Sequence, residues 1–274
     1  MSKRGHYPAG VPCWVDTIQP DLEAATHFYG GLMGWTLEGG LPVDGHWSHY
    51  VARVHDDEVA GIAPLPPLVP DVPASWVTQV RVDSIVDSVK IAESAGATVV
   101  LEFFDAAPAG RMAVLEDPGG AVISLWEPLS RQGAVRVNEA GAWAMSSLSS
   151  ADTHAAAGFY REAFGWVTET TSVGDAEVTL FRLPGYIGGE PRQPVSREVV
   201  AVMVPTTEDG VDTDTWTVDF WVDDLDRTIA LAELLQGSVL RPATEAPAGG
   251  SAVLADPAGA PFSVTQAPTA PTIR

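Results

Sequence analysis

The stretch "DLEAATHFYGGLMGW" at residues 21–35 occurs a second time as "DTHAAAGFYREAFGW" at residues 152–166. The two stretches share the first Asp, a Phe-Tyr pair and a final Gly-Trp pair, each 131 residues later in the second copy. The Asp is a favourable helix N-cap, and the Gly favours a helix end. Both stretches therefore predict a short helix whose Phe and Tyr lie on its apolar face.

The repeat extends over the whole chain. "SWVTQVRVDSI" (75–85) recurs as "TWTVDFWVDDL" (215–225), and the turn "DPGGA" (117–121) recurs as "DPAGA" (256–260). Offsets that change so little over this distance indicate two whole domains in tandem, and we predict residues 1–132 for the first and 133–274 for the second. Strand and helix signals alternate within each copy, which predicts an α+β fold with two β-α-β-β-β units per domain.

Composition limits the classes of function. The 274 residues include 36 Asp plus Glu and 15 Lys plus Arg, a net charge of −21. Such a surface repels nucleic acids and anionic membranes and attracts cations. The single cysteine, Cys13, excludes an internal disulfide, and the sequence lacks a signal-peptide pattern and an apolar run of membrane-spanning length. We therefore expect a cytoplasmic protein that contacts neither nucleic acid nor membrane.

These motifs resemble the vicinal oxygen chelate superfamily, which includes glyoxalase I, bleomycin-resistance proteins and extradiol dioxygenases. The helix ending "FYGGLMGW" and the finish "DPGGAVISL" carry the resemblance, which covers nearly all of residues 10–268. It extends to two-domain actinobacterial members, often labelled hydroxylases or glyoxalase-like proteins, some of which occur in anthracycline biosynthesis clusters. The resemblance implies that each domain curls a mixed sheet around a cleft that holds metal and substrate.

The metal ligands that the resemblance implies are missing from this sequence. The family's ligand positions fall on Trp14, Val77 and Ser124 in the first domain and on Met145, Thr217 and Ser263 in the second. None of these side chains is a strong ligand for a divalent ion. His46 and His49 are three residues apart entering a strand, so they are expected to point to opposite faces. We therefore predict no metal and no other cofactor.

The same positions identify the residues that should face the clefts, because side chains alternate along a strand. The side chains at these positions are aromatic rings, small hydroxyl groups and a few charged groups, a combination that is typical of an organic-ligand pocket. The alternative is that the tryptophans are core or domain-contact residues. Asp16 and Asp219 are the candidates for general acid–base catalysis. The predicted ligand-binding residues are Trp14, Asp16, Gln79, Arg81, Ser124, Trp126, Trp143, Ser147, Asp219, Trp221 and Ser263.

We therefore hypothesise a metal-free protein that binds a bulky, planar aromatic molecule of polyketide or anthracycline type, favouring one with a basic substituent. Its role would be antibiotic resistance by sequestration, or an accessory role in antibiotic biosynthesis beside an oxygenase partner. The alternatives are a lyase, isomerase, hydroxylase or dioxygenase-type enzyme for a polyketide-like substrate, and a domain kept for protein–protein assembly. A homodimer is left open.

Overall fold

The computed structural model describes residues 3–43, 47–66, 72–173, 176–188, 198–206, 214–244 and 250–268. In this part of the chain each copy of the repeat forms one eight-stranded mixed sheet and two helices. The predicted α+β architecture of two tandem domains, each built from two β-α-β-β-β units, is confirmed. The boundary between residues 132 and 133 stays a prediction.

The first domain joins its two units edge to edge. The elements are β1 Pro12–Gln19, α1 Leu22–Met33, β2 Thr36–Val43, β3 Trp47–Val54, β4 Asp57–Pro64, β5 Ser75–Arg81, α2 Ile85–Ser94, β6 Thr98–Ala106, β7 Gly110–Glu116 and β8 Val122–Pro128. Strands β1 and β5 pair antiparallel in the middle of the sheet, whose order is β2-β3-β4-β1-β5-β8-β7-β6.

The second domain repeats this arrangement. Its elements are β9 Trp143–Ser150, α3 Thr153–Phe164, β10 Val167–Val173, β11 Ala176–Arg182, β12 Val199–Pro205, β13 Thr215–Val222, α4 Leu225–Leu234, β14 Ser238–Thr244, β15 Ser251–Ala255 and β16 Pro261–Gln266. The strand order is β10-β11-β12-β9-β13-β16-β15-β14, and strands β9 and β13 form the antiparallel centre.

The predicted caps form on the repeated helix. The Asp21 carboxylate accepts hydrogen bonds from the backbone N–H groups of Glu23 and Ala24, which satisfies two of the unpaired donors at the start of α1. Gly34 ends this helix in the left-handed region at φ 68°, and Gly165 ends α3 at φ 74°. The predictions for both helices are confirmed.

Each DP turn joins the two domains. The Asp117 carboxylate accepts hydrogen bonds from Gly119 N and Ala121 N inside its own turn, and from the Tyr160 hydroxyl of the other domain at 2.7 Å. In the second domain, Asp256 accepts the corresponding bond from the Tyr29 hydroxyl at 2.9 Å. The repeated Phe-Tyr helix and the repeated Asp-Pro turn are therefore partners across the domain contact.

An aromatic core fills the contact between the domains. The rings of Trp76 in β5 and Phe220 in β13 lie 5.0 Å apart, and Thr78 and Ser146 share a hydrogen bond of 2.7 Å across the same contact. Because side chains alternate, the neighbouring residues on these strands point to the opposite face of each sheet. We call that opposite face, turned away from the domain contact, the site face.

None of the described helices is long and apolar enough to cross a membrane.

Candidate functional site

The site face of the first sheet brings several predicted residues into one row. Trp14 in β1 lies opposite Gln79 in β5, and Gln79 lies opposite Ser124 in β8. Asp16 lies two residues further along β1, opposite Val77 on β5. Trp14, Asp16, Gln79 and Ser124 are all buried. The pleat and strand pairing thus assemble the positions that the sequence predicted to face a cleft.

The Asp16 carboxylate is the centre of a buried hydrogen-bond network. Trp14 Nε1 donates to Oδ1 at 2.7 Å, and Gln79 Nε2 donates to Oδ2 at 2.5 Å. His49 Nε2 lies 3.1 Å from Oδ1. Burial, the largest influence, raises the pKa of Asp16, but the charge and hydrogen bond of His49 and the bond from Trp14 hold that pKa below its ordinary value. Asp16 is therefore an ionised carboxylate although it is only 6% exposed.

Sequence reasoning missed His49 as a partner of Asp16. His49 lies on β3 and Asp16 on β1, with β4 between them, so no spacing in the sequence relates the two residues; His46 lies outside the described residues. The usable signal was Gly61, which lies opposite Asp16 on β4. A Cβ atom at Gly61 would stand 1.9 Å from Asp16 Oδ1 and 2.6 Å from His49 Nε2, so only glycine leaves room for the pair.

The segment between β8 and β9, residues 129–142, is the linker between the two domains, and it covers part of this first site face. The Arg131 guanidinium lies 5.0 Å from the centre of the Trp14 ring, and Trp126 Nε1 donates to the Arg131 carbonyl at 3.0 Å. Trp14 is 2% exposed and Trp126 is 4% exposed, so neither indole offers a solvent-accessible ring face to a ligand. Arg81 is half-buried and pairs with Asp83. The His49 side chain keeps 25% of its surface exposed.

The site face of the second sheet is open in comparison. Along β13 the residues of the core face are buried, whereas Thr217, Asp219 and Trp221 on the site face are half-buried. The same contrast holds for Ser263 in β16. Met145 and Ser263 flank Asp219 on the two neighbouring strands. The equivalent positions of the two domains therefore form one covered face and one accessible face.

Asp219 is the ionisable group of the second site face. Its Oδ1 atom accepts a hydrogen bond from the Thr265 hydroxyl at 2.7 Å. Burial raises the pKa of Asp219 to about 7, and the bond from Thr265 opposes this only in part. The two candidate carboxylates therefore differ: Asp16 is held ionised, whereas Asp219 exchanges its proton near neutral pH. Ser147, which lies opposite Thr217 and is half-buried, belongs to the same face.

Trp143 does not lie beside Asp219. The pairing of β9 with β13 shifts by one residue between Asp219 and Phe220, and this bulge places Trp143 opposite Phe220, a core residue. Trp143 Nε1 donates to Ser146 Oγ at 3.2 Å, and Ser146 contacts the first domain through Thr78. For Trp143, the structure favours the alternative interpretation as a domain-contact residue, because the alternation rule fails at a bulge.

The family's metal does not fit either face. The six ligand positions hold two serines, a threonine, a valine, a methionine and a tryptophan. Among the described residues, no group of three His, Cys, Asp or Glu side chains comes close enough to hold a metal ion. Asp16 and His49 supply two candidate ligands, but Gln79 turns its NH₂ group toward the carboxylate and is a donor there. Neither face, in the part of the chain that the structure describes, therefore offers the donor set that a divalent ion needs.

Comparison with known proteins agrees with the fold and the repeat. The sequence profile of the "Glyoxalase-like domain" family matches residues 14–126 and again residues 131–265. The chain therefore belongs to the glyoxalase-like family, as two tandem domains of the vicinal oxygen chelate fold.

Two relatives match over nearly their whole length. CFP32 of Mycobacterium tuberculosis (strain CDC 1551 / Oshkosh) is 35% identical over 266 residues, which cover 96% of this chain and 97% of CFP32. The anthracycline biosynthesis protein DauV of Streptomyces sp. (strain C5) is 31% identical over 272 residues, with 95% and 94% covered. Among solved structures, the Mn(II)-bound glyoxalase from Novosphingobium aromaticivorans superposes with a TM-score of 0.61 at 16% identity, covering 94% of this chain and 82% of that one. At that identity the likeness concerns the fold alone.

Proposed function

We propose that this protein binds a planar aromatic small molecule with a basic substituent on the site face of the second domain, without a metal. The observation that carries the proposal is the contrast between the two faces. Trp14 and Trp126 are buried under the Arg131 linker, whereas Asp219, Trp221 and Ser263 remain half-buried and accessible. An accessible face with one aromatic ring, small hydroxyls and one carboxyl is suited to an organic ligand.

The side chains of this face supply complementary contacts for such a ligand. The Trp221 indole offers a flat surface for stacking on fused rings. Asp219 becomes a carboxylate above about pH 7, and an ammonium group on the ligand would favour that ionised form. The net charge of −21 attracts cations to the surface over longer distances. These contacts favour an aromatic amine over a small anionic acid.

The name of one relative, DauV, supports a ligand of this class. DauV, a relative over most of its length, is an anthracycline biosynthesis protein, and anthracyclines combine fused rings with an amino sugar. We propose an accessory or sequestering role toward such a compound for this chain. The oxygenase partner and the cytoplasmic location stay predictions, and the homodimer stays open.

The test is a titration with an anthracycline that carries its amino sugar and with the matching aglycone. Tryptophan fluorescence and calorimetry should show one bound molecule per chain, with the amino compound bound more tightly. Asp219→Asn should weaken binding of the amino compound several-fold and leave the aglycone almost unaffected. Asp223→Asn, an exposed carboxylate just beyond β13, is the matched control and should change neither.

Two results would contradict the proposal. One is a set of aromatic amines that leave the fluorescence and the melting temperature unchanged while a small dicarboxylate or a thiol conjugate shifts them. The other is equal weakening of both anthracycline forms by Asp219→Asn, because the effect would then not come from a contact between the carboxyl group and the amine.

The contact between Asp16 and His49 favours a second candidate function, proton transfer to and from a substrate. The carboxylate is positioned by Trp14 and Gln79, and the imidazole is partly exposed. A histidine oriented by a carboxylate can act as a general base. Incubating the aglycone with the protein in D₂O and measuring deuterium uptake by mass spectrometry tests this. Uptake that disappears in His49→Gln would favour an enzyme over a binding protein.

A further inference from the structure

A row of paired residues crosses the outer half of the second site face. Asp219 in β13 lies opposite Ser263 in β16. Val253 in β15 continues the row, because it pairs with Ser263 on one side and with Arg241 in β14 on the other. Residues that pair across neighbouring strands share one face of a sheet. Arg241 therefore belongs to the face that carries Asp219.

The residues around Arg241 agree with this orientation. Val239 lies opposite Leu254, which is fully buried, and Val239 packs against the core. The pairing then shifts, so that Leu240 is the extra residue of a bulge and Arg241 pairs with Val253. Val253 and Leu254 are adjacent in β15 and point to opposite faces. Arg241 is thus directed away from the core.

A second row of polar residues runs beside the first. It consists of Trp221, Thr265, Ser251 and Thr244, each paired with the next across neighbouring strands. Three hydroxyl groups therefore follow the indole of Trp221 toward the edge of the sheet, beside the row that ends at Arg241. Hydroxyl and guanidinium groups can all donate hydrogen bonds to the oxygens of a ligand.

The equivalent strand of the first domain lacks this charge. Leu101 in β6 occupies the place of Arg241, since it pairs with Val114 in β7, which in turn pairs with Ser124. The same edge strand of the same fold thus carries a leucine in one domain and an arginine in the other. The fold does not require a cation at this position, so the charge is a property of the second face alone.

Arg241 is accessible to a ligand. Its side chain is exposed, and no ion pair joins it to a carboxylate within the described ranges. Arg182, the other cationic residue in the described strands of this sheet, pairs with Glu169 and Glu198. A chain of net charge −21 repels an anionic group at long range, so such a group needs a local cation to bind.

We propose that Arg241 binds a carboxylate on the end of the ligand opposite the amine and thereby determines specificity at the second site face. Three strand spacings of about 4.8 Å separate the backbones of Asp219 and Arg241, which is on the order of 14 Å along the sheet. A fused-ring ligand with its amine at Asp219 can extend across this distance. The planar guanidinium suits a carboxylate because it can donate two parallel hydrogen bonds to it. This assignment rests on the proposed function and narrows the ligand to a zwitterionic aromatic compound.

The experiment compares three anthraquinones in fluorescence and calorimetric titrations of the full-length protein. All of them carry an aminomethyl group on one outer ring. The other outer ring carries a carboxylate in the first compound, the methyl ester of that carboxylate in the second and hydrogen in the third. The carboxylate compound should bind about fivefold more tightly than the other two, as expected of one exposed, charge-assisted contact.

Substitutions of Arg241 assign the preference to its guanidinium. Arg241→Leu introduces the residue type of the equivalent position, Leu101, and should remove the preference while leaving the affinity for the ester unchanged. Arg241→Lys keeps the charge without the planar fork and should retain part of the preference. Arg227→Leu removes the same charge from an exposed position in α4 and is the control, which should keep the full preference.

The inference would be overturned by a preference that survives Arg241→Leu, or by an equal loss of preference in Arg227→Leu. Melting temperatures and an unchanged affinity for the ester show that each variant is folded. If all three compounds bind wild type equally, the role of Arg241 is refuted and the proposed function stands. If none of the three binds, the proposed function fails and the role of Arg241 fails with it.

Discussion

Replacing Asp219 by asparagine should make the stability of the protein less sensitive to alkaline pH. Burial raises the pKa of Asp219 from 3.8 to about 7 in the folded protein. The folded state therefore binds this proton more tightly than the unfolded state does. The resulting stabilisation is fully present below about pH 4 and is lost as the pH rises through 7. The side-chain amide of the substituted asparagine would keep an acceptor for the Thr265 hydroxyl without ionising.

The structure sets an upper limit on this effect. A shift of about three pKa units corresponds to about 4 kcal/mol at 1.36 kcal/mol per unit. The Asp219 side chain is only half-buried, so solvent screens part of this, and we expect about 2 kcal/mol between pH 4.5 and pH 8. The free energy of unfolding of the variant, minus that of the wild type, should rise by this amount across the interval.

Urea denaturation of wild type, Asp219→Asn and Asp223→Asn at pH 4.5, 6 and 8 measures the difference. Other titrating groups cancel, because they are common to all three proteins. The Asp223→Asn curve should stay parallel to that of the wild type. A difference between Asp219→Asn and wild type that is constant over the whole pH range would refute the reasoning, since Asp219 would then titrate alike in both states.

Three further predictions concern the first domain and the metal. Gly61→Ala should destabilise the protein by about 2–3 kcal/mol in urea denaturation, because the new Cβ would collide with Asp16. Gly158→Ala is the control: it has open space in α3 and should be neutral or slightly stabilising. Equal effects of the two substitutions would contradict the Asp16–His49 geometry. Arg131→Ala should uncover Trp14 and raise the stoichiometry of an aromatic ligand from one to two per chain in calorimetry, and an unchanged value of one would show that the linker is not what closes the first face. Elemental analysis of protein purified without a histidine tag should find well under one equivalent of zinc, iron, manganese, nickel or cobalt, whereas one tightly bound metal per domain would reverse our interpretation of the ligand positions.

The repeat made the fold predictable from the sequence. Asp21 and Gly34 cap a helix through local contacts, and local contacts are what a sequence pattern encodes. Alternation along β1 and β5 placed Trp14, Asp16 and Gln79 on one face because both strands are regular there. The site residues in that row followed from the ligand positions that the family resemblance implies, extended along each strand by the period of two.

Other features of the site depend on distant parts of the chain. Trp143 was misplaced because a one-residue bulge changes which face a side chain occupies. The covering of Trp14 by Arg131 depends on the path of the linker, for which the sequence carries no periodic signal. The contact of His49 with Asp16 depends on a register across three strands, in which Gly61 is the residue that leaves space.

The crossed bonds at the DP turns have a consequence for the origin of the chain. Tyr29 completes the turn at Asp256, and Tyr160 completes the turn at Asp117. Reciprocal contacts between two copies of one surface are what a twofold homodimer makes. This pattern is consistent with duplication and fusion of the gene for a one-domain ancestor that paired with itself. In a homodimer any substitution alters both sites at once, whereas in the fused chain one site face could become closed while the other stayed open.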